Sequence, residues 1–175
     1  RKQNFDALME GKIQPGIQSL PRELNLPKDG TLRIKPLREL EQLRSNQKQE
    51  ANITMKDDAP YVLKDISGDT MELEITFAVP SSSEFGVRVL CGEDGTNGFT
   101  ITAGSMRKTL TVGYTKPPFE LQQGEDLTLR VFIDKSMIEV FINDRQAAVA
   151  WHDYDPKDLH VSLFCKDGNV EVKTV

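Results

Sequence analysis

Two strands with alternating apolar residues, joined by a short polar turn, occupy residues 127–145 and constrain the fold more than any other stretch. The first reads Leu-Thr-Leu-Arg-Val-Phe-Ile-Asp and the second Met-Ile-Glu-Val-Phe-Ile. Because successive side chains of a strand point to opposite faces, this alternation predicts a β-hairpin with one core face and one outer face. The outer face still carries Phe132 and Phe141, which are larger apolar groups than a solvated surface favours. We therefore expect another element or domain to cover part of that face.

Short strand-like segments recur along the chain at the spacing of an all-β domain, with Gly, Pro, Asn and Asp at the reversals between them. The predicted strands are 70–79, 85–92, 99–103, 109–114, 127–133, 138–142, 147–151, 160–165 and 170–175. This pattern predicts two packed antiparallel sheets, that is, a β-sandwich. A chain of 175 residues is long enough for one such core with some additional structure.

The first fifty residues follow a different pattern. Residues 1–16 mix charges with glycine and proline, which predicts a poorly ordered tail. Residues 17–26 and 31–37 predict a strand pair around a Pro-Lys-Asp-Gly turn. Leucines at helical spacing then predict a short helix from Leu37 to Arg44. The polar run that follows buries almost nothing, so we expect a linker segment over 17–50 and the sandwich over 51–175.

Composition narrows the classes of function. The net charge is −5 and the basic residues are scattered, which argues against a nucleic-acid partner. The sequence has no apolar run near the roughly 20 residues that a membrane helix needs, and no phosphate cradle that would indicate a cofactor. Cys91 and Cys165 lie in predicted strands and are expected to be buried apolar residues rather than a disulfide. The loop at Glu93, Asp94 and Asn97 lacks the ligand spacing of a calcium site, so we predict a turn and no metal.

Two stretches resemble a known family. The hairpin sequence Val-Phe-Ile-Asp-Lys-Ser-Met-Ile-Glu-Val-Phe from Val131 is similar to the signature hairpin in the C-terminal β-sandwich of glycoside hydrolase family 32, the invertases, levanases and inulinases. The sequence Ser-Leu-Pro-Arg-Glu-Leu from Ser19, followed by an Asp-Gly turn, is similar to the segment in which that family's catalytic propeller ends. Together the two motifs cover about the first quarter and the last third of the chain.

The resemblance implies a lectin-like or concanavalin-like sandwich, preceded by a hairpin and a short helix left over from a five-bladed propeller. It implies structural roles for seven motif positions, which are Pro21, Arg22, Glu23, Asp134, Ser136, Glu139 and Phe141. Asp134 and Glu139 flank the turn on the same outer face and could be taken for a catalytic pair. We instead expect Asp134 and Ser136 to accept hydrogen bonds from the backbone of the turn.

The chemistry of the resembled family is retaining hydrolysis, which needs two carboxyl groups about 5 Å apart. In that family both groups lie on the propeller, in Asn-Asp-Pro-Asn-Gly and Glu-Cys motifs, with a third carboxylate in Arg-Asp-Pro. None of these motifs is present here: Asn143-Asp144 is followed by Arg145, Asp155-Pro156 follows a tyrosine, and Cys91 follows Leu90. The chain alone is therefore not expected to be catalytic. We expect a module that packs against its own catalytic propeller, in a secreted or periplasmic protein.

A second hypothesis is a free-standing module that binds fructan or a sucrose-type sugar, since a relative of this sandwich is known to bind fructan. The candidate sugar-binding residues are Glu84, Arg88 and Trp151. Trp151, His152 and Tyr154 form an aromatic group in the sequence, although a lone Trp at a strand end is more typical of a core cap or a domain contact. If the propeller is absent, residues 17–44 are expected either to fold back on the sandwich or to pair with a second copy of the chain.

Overall fold

A computed structural model describes residues 18–56, 59–78, 84–104 and 110–175. The tail predicted over 1–16, the first residue of the predicted strand pair, and the ends of two predicted strands at Val79 and Thr109 lie outside these ranges. Within them, thirteen strands and one short 3₁₀ helix follow one another along the chain. In order they are β1 Arg22–Asn25, β2 Arg33–Pro36, the 3₁₀ helix Arg38–Leu43, β3 Ala51–Met55, β4 Tyr61–Ser67, β5 Thr70–Phe77, β6 Glu84–Cys91, β7 Phe99–Gly104, β8 Leu110–Val112, β9 Leu127–Asp134, β10 Met137–Ile142, β11 Gln146–Trp151, β12 His160–Lys166 and β13 Val170–Thr174.

Two antiparallel sheets form the sandwich that the alternation predicts. The six-stranded sheet has the order β11-β10-β9-β5-β13-β3, and the five-stranded sheet has the order β4-β12-β6-β7-β8. The described residues of β1 and β2 form a separate two-stranded sheet. The all-β class and the sandwich architecture are therefore confirmed.

The core lies between the inner faces of the two sheets. Leu129, Val131 and Ile133 of β9 point inward, and Ile138, Val140 and Ile142 continue that face on β10, as the sequence predicted. Across the gap, the rings of Phe77 on β5 and Phe85 on β6 meet edge to face with 5.1 Å between centroids. Cys91 and Cys165 are both buried, as expected, and both are free thiols.

Close approach of two strands explains one glycine. Gly86 lies on the outer face of β6, and a Cβ atom built on it would come 2.0 Å from the carbonyl oxygen of Ile101 and 3.0 Å from the ring of Phe164. The first contact cannot be relieved by a rotamer change, because the carbonyl oxygen belongs to the backbone of the paired strand. This position therefore requires glycine.

Three local predictions need correction. The predicted strand pair is shorter than expected, at Arg22–Asn25 and Arg33–Pro36. The predicted helix exists, but it is a six-residue 3₁₀ helix in which no residue is buried, and Leu43 remains 78% exposed. A segment this short without a buried face gains little from α-helical hydrogen bonds. In addition, neither β3 nor β4 was among the predicted strands; in β4 the buried residues Leu63 and Ile66 are three apart, and a register irregularity opposite it breaks the alternation.

The described helix is far too short and too polar to cross a membrane, so no membrane span is found in these ranges.

Candidate interface on the outer face of the six-stranded sheet

The buried carboxylate of Glu139 is the centre of the candidate interface. Alternation along β10 places this side chain on the outer face, where a carboxylate is ordinarily solvated, yet it is 1% exposed. The chain that leads into β1 lies over it: the Leu20 N–H donates to Oε2 at 2.8 Å, and the Arg22 guanidinium donates to Oε1 at 2.6 and 3.2 Å. Hydrogen bonds to an ionised group are among the strong ones in proteins. Glu139 therefore fastens the N-terminal hairpin to the sandwich.

Phe141 lies beside the Glu139 carboxylate and is covered by the same Arg22 side chain. The Arg22 guanidinium carbon lies 5.5 Å from the centre of the Phe141 ring, and Phe132 meets that ring edge to face at 5.8 Å. Phe141 is 1% exposed although it is not part of the central core. The prediction that another element covers part of the outer face of the β9–β10 hairpin is therefore confirmed.

The other two residues of the Pro-Arg-Glu motif hold the hairpin together. The Pro21 carbonyl oxygen accepts a hydrogen bond from the Leu37 N–H at 3.0 Å. Glu23 accepts two hydrogen bonds from the Arg38 guanidinium, at 2.6 and 2.9 Å, and one from the Arg38 N–H. The side-chain hydrogen bonds from Arg38 lower the pKa of Glu23 to about 2. The motif thus ties β1 to the start of the 3₁₀ helix and, through Arg22, to the sandwich.

Further polar contacts fix the far side of the hairpin. The Ile34 N–H of β2 donates to the carbonyl oxygen of Asp144 at 2.7 Å, and the Lys35 ammonium lies 3.2 Å from the Asp144 carboxylate. Between the hairpin and the sheet lies a polar cleft of about 640 Å³, lined in part by Arg130, Asn143 and Asp144. Its volume suits a small sugar, but the side chains of Arg130, Asn143 and Asp144 are already bonded to other groups of the protein.

Arg44 supplies one more attachment, just after the 3₁₀ helix. Its guanidinium forms two hydrogen bonds to the Glu72 carboxylate, at 2.7 and 2.8 Å, and Arg130 donates to the same carboxylate at 2.6 Å. Burial raises the pKa of Glu72, but the hydrogen bonds from the two arginines outweigh that effect and the pKa is lowered. Residues 20–44 are thus attached to the sandwich at three places by charged groups.

Of the predicted structural motif positions, Asp134 and Ser136 do not make the contacts that were expected of them. The Lys135 N–H in the turn donates to the Asp69 carbonyl oxygen, not to Asp134. Ser136 contributes its backbone carbonyl, which accepts from the His152 N–H at 2.8 Å. The neighbouring β4–β5 turn and the chain after β11 take over the turn's backbone groups, a tertiary effect that local turn chemistry does not reveal.

The candidate sugar-binding residues do not converge. Glu84 and Arg88 lie on the outer face of the five-stranded sheet, whereas Trp151 lies on the outer face of the other sheet, so the whole core separates them. The Glu84 carboxylate pairs with the Lys166 ammonium at 2.8 Å. The Arg88 guanidinium stacks on the Phe164 ring, 4.3 Å from its centre. These contacts are typical of residues that stabilise a sheet surface.

The three aromatic residues at the end of β11 and just after it also make different contacts. His152 meets the Phe99 ring edge to face at 5.7 Å, and the Tyr154 hydroxyl donates to the Asp69 carboxylate. Trp151 pairs across the strands with Met137 on the outer face and is half-buried. The group therefore does not form a single sugar-stacking platform.

The Glu93–Gly98 loop has the contacts of a tight turn. The Asp94 carboxylate accepts hydrogen bonds from the N–H and the hydroxyl of Thr96, at 2.9 and 2.8 Å. These hydrogen bonds lower the pKa of Asp94, and the one from the backbone N–H of Thr96 has the largest effect. Within the described ranges, no three His, Cys, Asp or Glu side chains converge in a way that would hold a metal ion.

The sequence predictions gave no role to several residues of the interface, among them Leu20, Glu72, Arg130 and Asp144. A signal existed for two of them, because Glu72 and Arg130 sit at outer positions of alternating strands and are diagonal neighbours across β5 and β9, where the register partner of Arg130 is Glu74. Opposite charges at such positions predict a cross-strand pair once the register is known. Leu20 acts through its backbone N–H, which leaves no signal in side-chain pattern.

Comparison with known proteins identifies the sandwich. The family model described as glycosyl hydrolases family 32 C terminal matches residues 39–175. The levanase of Bacillus subtilis is 30% identical over an alignment of 182 positions, which covers 90% of this chain and 26% of the levanase. Among solved structures, fructan 1-exohydrolase IIa from Cichorium intybus has a TM-score of 0.72 at 17% identity, over 90% of this chain and 40% of that one. The carbohydrate binding module CBM66 from Bacillus subtilis has a TM-score of 0.53 at 12% identity, over 73% of this chain and 89% of that one. The chain thus spans only part of the enzymes that it matches, and it belongs to the C-terminal domains of glycosyl hydrolase family 32.

Proposed function

We propose that this chain is the accessory module of a two-domain β-fructosidase and that its role is to hold the catalytic domain in place. The observation that carries the proposal is the anchorage of the hairpin at the buried Glu139 carboxylate. In the described residues β1 pairs only with β2, and Leu24 and Leu26 are each 66% exposed. A strand with an unpaired edge and exposed leucines is suited to join a further sheet.

The anchored hairpin therefore has two sides with different tasks. Arg22 binds the sandwich, while the outer edge of β1 remains available to the sheet of a catalytic domain. Such an arrangement transmits the position of one domain to the other through a rigid strand pair rather than through a flexible linker. This supports a structural role for the module.

The activity of the whole protein is the second part of the proposal. The relatives are named as a levanase and a fructan 1-exohydrolase, which favours hydrolysis of terminal β-fructosyl bonds in sucrose, inulin or levan. Retaining hydrolysis requires two carboxyl groups across one scissile bond. The outer-face carboxylate Glu139 is 1% exposed and accepts three hydrogen bonds from Arg22 and Leu20, so it is unsuited to act as nucleophile or acid. Catalysis is therefore assigned to the other domain.

A second candidate function is binding of a fructan chain by the module itself. The observation that favours it is the half-exposed indole of Trp151 on the outer surface, since aromatic rings stack on sugars. Against it, Glu84 and Arg88 lie on the opposite sheet and already have partners.

Affinity electrophoresis of the chain through gels with levan, inulin or no polysaccharide separates the two functions. The structural role predicts unchanged mobility in all three gels and no release of fructose by the purified chain. Retardation by either fructan would contradict that role and establish a binding module. If a fructan retards the chain, Trp151→Ala should remove the retardation. Tyr114→Ala, which alters a fully exposed ring elsewhere, is the control and should keep it.

A further inference from the structure

The connection between β6 and β7 ends in Asn97-Gly98, and the fold constrains both residue types. Asn97 has a positive φ of 62°, a conformation that asparagine tolerates better than most other residues. A Cβ atom built on Gly98 would lie 2.6 Å from the Val89 carbonyl oxygen and 2.7 Å from the Cβ atom of Cys91. Both distances are shorter than real Cβ contacts, so β6 leaves room only for glycine at this position.

Hydrogen bonds hold the earlier part of this connection, but not its end. The Gly92 N–H donates to the Thr96 carbonyl oxygen at 3.0 Å, and the Gly95 N–H donates to the Gly92 carbonyl oxygen at 2.9 Å. Within the described part of the chain, by contrast, neither the Asn97 carboxamide nor the Gly98 N–H has a hydrogen-bond partner. The Asn97 side chain is also exposed to solvent. Both groups are therefore unrestrained by hydrogen bonds and open to water.

We propose that Asn97 is a site of spontaneous deamidation, a reaction that makes asparagine one of the thermolabile residues. The Gly98 amide nitrogen forms a bond to Cγ of Asn97, and the bond from Cγ to Nδ2 breaks, so that ammonia leaves with the Gly98 amide hydrogen. Water then opens the resulting cyclic imide at either of its carbonyl carbons and restores the N–H. Opening at one carbonyl gives aspartate, and opening at the other gives isoaspartate, in which the main chain runs through Cγ. Water is the only co-reactant.

Other asparagines of the chain supply matched comparisons for Asn97. Asn46 and Asn52 are also exposed and also have positive φ values, 54° and 56°, but glutamine and isoleucine follow them. A side chain on the following residue hinders the approach of its nitrogen, whereas glycine allows it. Asn143 also has a positive φ, 45°, but its carboxamide makes three hydrogen bonds within the protein. Asn97 is the only asparagine in the sequence that precedes glycine.

The aspartate and isoaspartate products differ in their effect on the fold. Aspartate adds a negative charge to the connection that already holds Glu93 and Asp94, but it leaves the length of the main chain unchanged. Isoaspartate adds one carbon atom to the main chain directly before Gly98. The strand β7 begins at the next residue, Phe99, which pairs with Val89 of β6. The isoaspartyl product should therefore weaken the pairing of β6 with β7, and the aspartyl product should not.

Peptide mapping by mass spectrometry, applied to the folded chain during incubation at mildly alkaline pH, tests the proposal. We expect Asn97 to be converted about tenfold or more faster than Asn46 and Asn52, because only Asn97 is followed by glycine. Asn143 should be converted more slowly still, since its hydrogen bonds must break first. Equal rates at Asn97 and Asn46 would overturn the proposal. Conversion of Asn97 only after urea has unfolded the chain would overturn it as well.

Two variants separate the added charge from the added main-chain atom, and both residues tolerate a positive φ. The thermal midpoint of Asn97→Asp should lie within about 2 °C of that of the unmodified chain. The isoaspartyl fraction, isolated by ion exchange and identified with isoaspartyl methyltransferase, should unfold at least about 3 °C lower. Asn97→Gly, which cannot deamidate at this position, should keep its midpoint through the same incubation. An equal loss in Asn97→Gly, or equal midpoints for Asn97→Asp and the isoaspartyl fraction, would contradict the proposal.

Discussion

Replacing Glu139 by glutamine should release the hairpin from the sandwich without unfolding the sandwich. Glutamine keeps the shape of the side chain but removes its charge and one acceptor oxygen. The carboxylate is 1% exposed and accepts three hydrogen bonds, two from an Arg22 side chain that is itself 28% exposed. Hydrogen bonds to charged groups contribute about 1.5–3 kcal/mol, and the partial exposure of Arg22 reduces that. We therefore expect the opening free energy of the hairpin to fall by about 2 kcal/mol.

Amide hydrogen exchange of the chain measures this change directly. A loss of about 2 kcal/mol corresponds to roughly 30-fold faster exchange of amides that open with the hairpin. The reporting amide is that of Ile34, which donates to the Asp144 carbonyl oxygen across the contact between hairpin and sandwich. The thermal midpoint of the sandwich should change by less than about 2 °C, because an opened hairpin leaves residue 139 in water. Glu171→Gln, an exposed carboxylate on the same face, is the control and should change nothing.

Two results would refute this reasoning. Unchanged exchange at Ile34 in Glu139→Gln would show that Lys35 and Arg44, not the buried pair, hold the hairpin. A large fall in the midpoint of the sandwich together with faster exchange everywhere would show that Glu139 is a core residue of the sandwich rather than an anchor.

Three further changes test other parts of the account. Gly86→Ala should reduce the free energy of unfolding in urea by at least about 3 kcal/mol, because the new methyl group meets a backbone carbonyl; a loss below about 1 kcal/mol would contradict the strand spacing. Asn143→Ala should cost about 2 kcal/mol in the same assay, because its amide accepts from the Thr128 N–H and donates to Glu125 and Asp126; a neutral change would contradict that network. Burial lowers the pKa of His152 below that of the unfolded chain, against the opposing charges of Asp153 and Asp158. Its contribution is therefore complete above about pH 6.5 and is lost as the pH falls through the lowered pKa, so His152→Gln should flatten the fall in thermal midpoint between pH 7 and 5.

The sandwich could be predicted because its strands keep a period of two. In β9 and β10 every inward position is apolar, which fixes both the strand type and the core face. The same alternation revealed that Phe132 and Phe141 needed a cover. β4 escaped prediction because its buried residues Leu63 and Ile66 lie three apart around an irregular register. A bulge of this kind is set by the neighbouring strands and is not visible in the local sequence.

The interface could be predicted only in part. The motif residues Arg22 and Glu139 were singled out by resemblance, but their pairing depends on a contact across 117 positions, which periodicity cannot supply. The outward position of Glu139 suggested exposure, whereas the hairpin buries it completely. Trp151 was a candidate for sugar or domain contact in the sequence, and its place on the outer face beside Met137 and Val149 came only from the register of β10 and β11.

The most direct test of the central claim is differential scanning calorimetry of the two-domain protein with Glu139 intact and with Glu139→Gln. If the module holds the catalytic domain through the anchored hairpin, the intact protein should unfold in one transition, and the variant should unfold in two. One transition at the same temperature in both proteins would contradict the claim. Two transitions in the intact protein would contradict it as well.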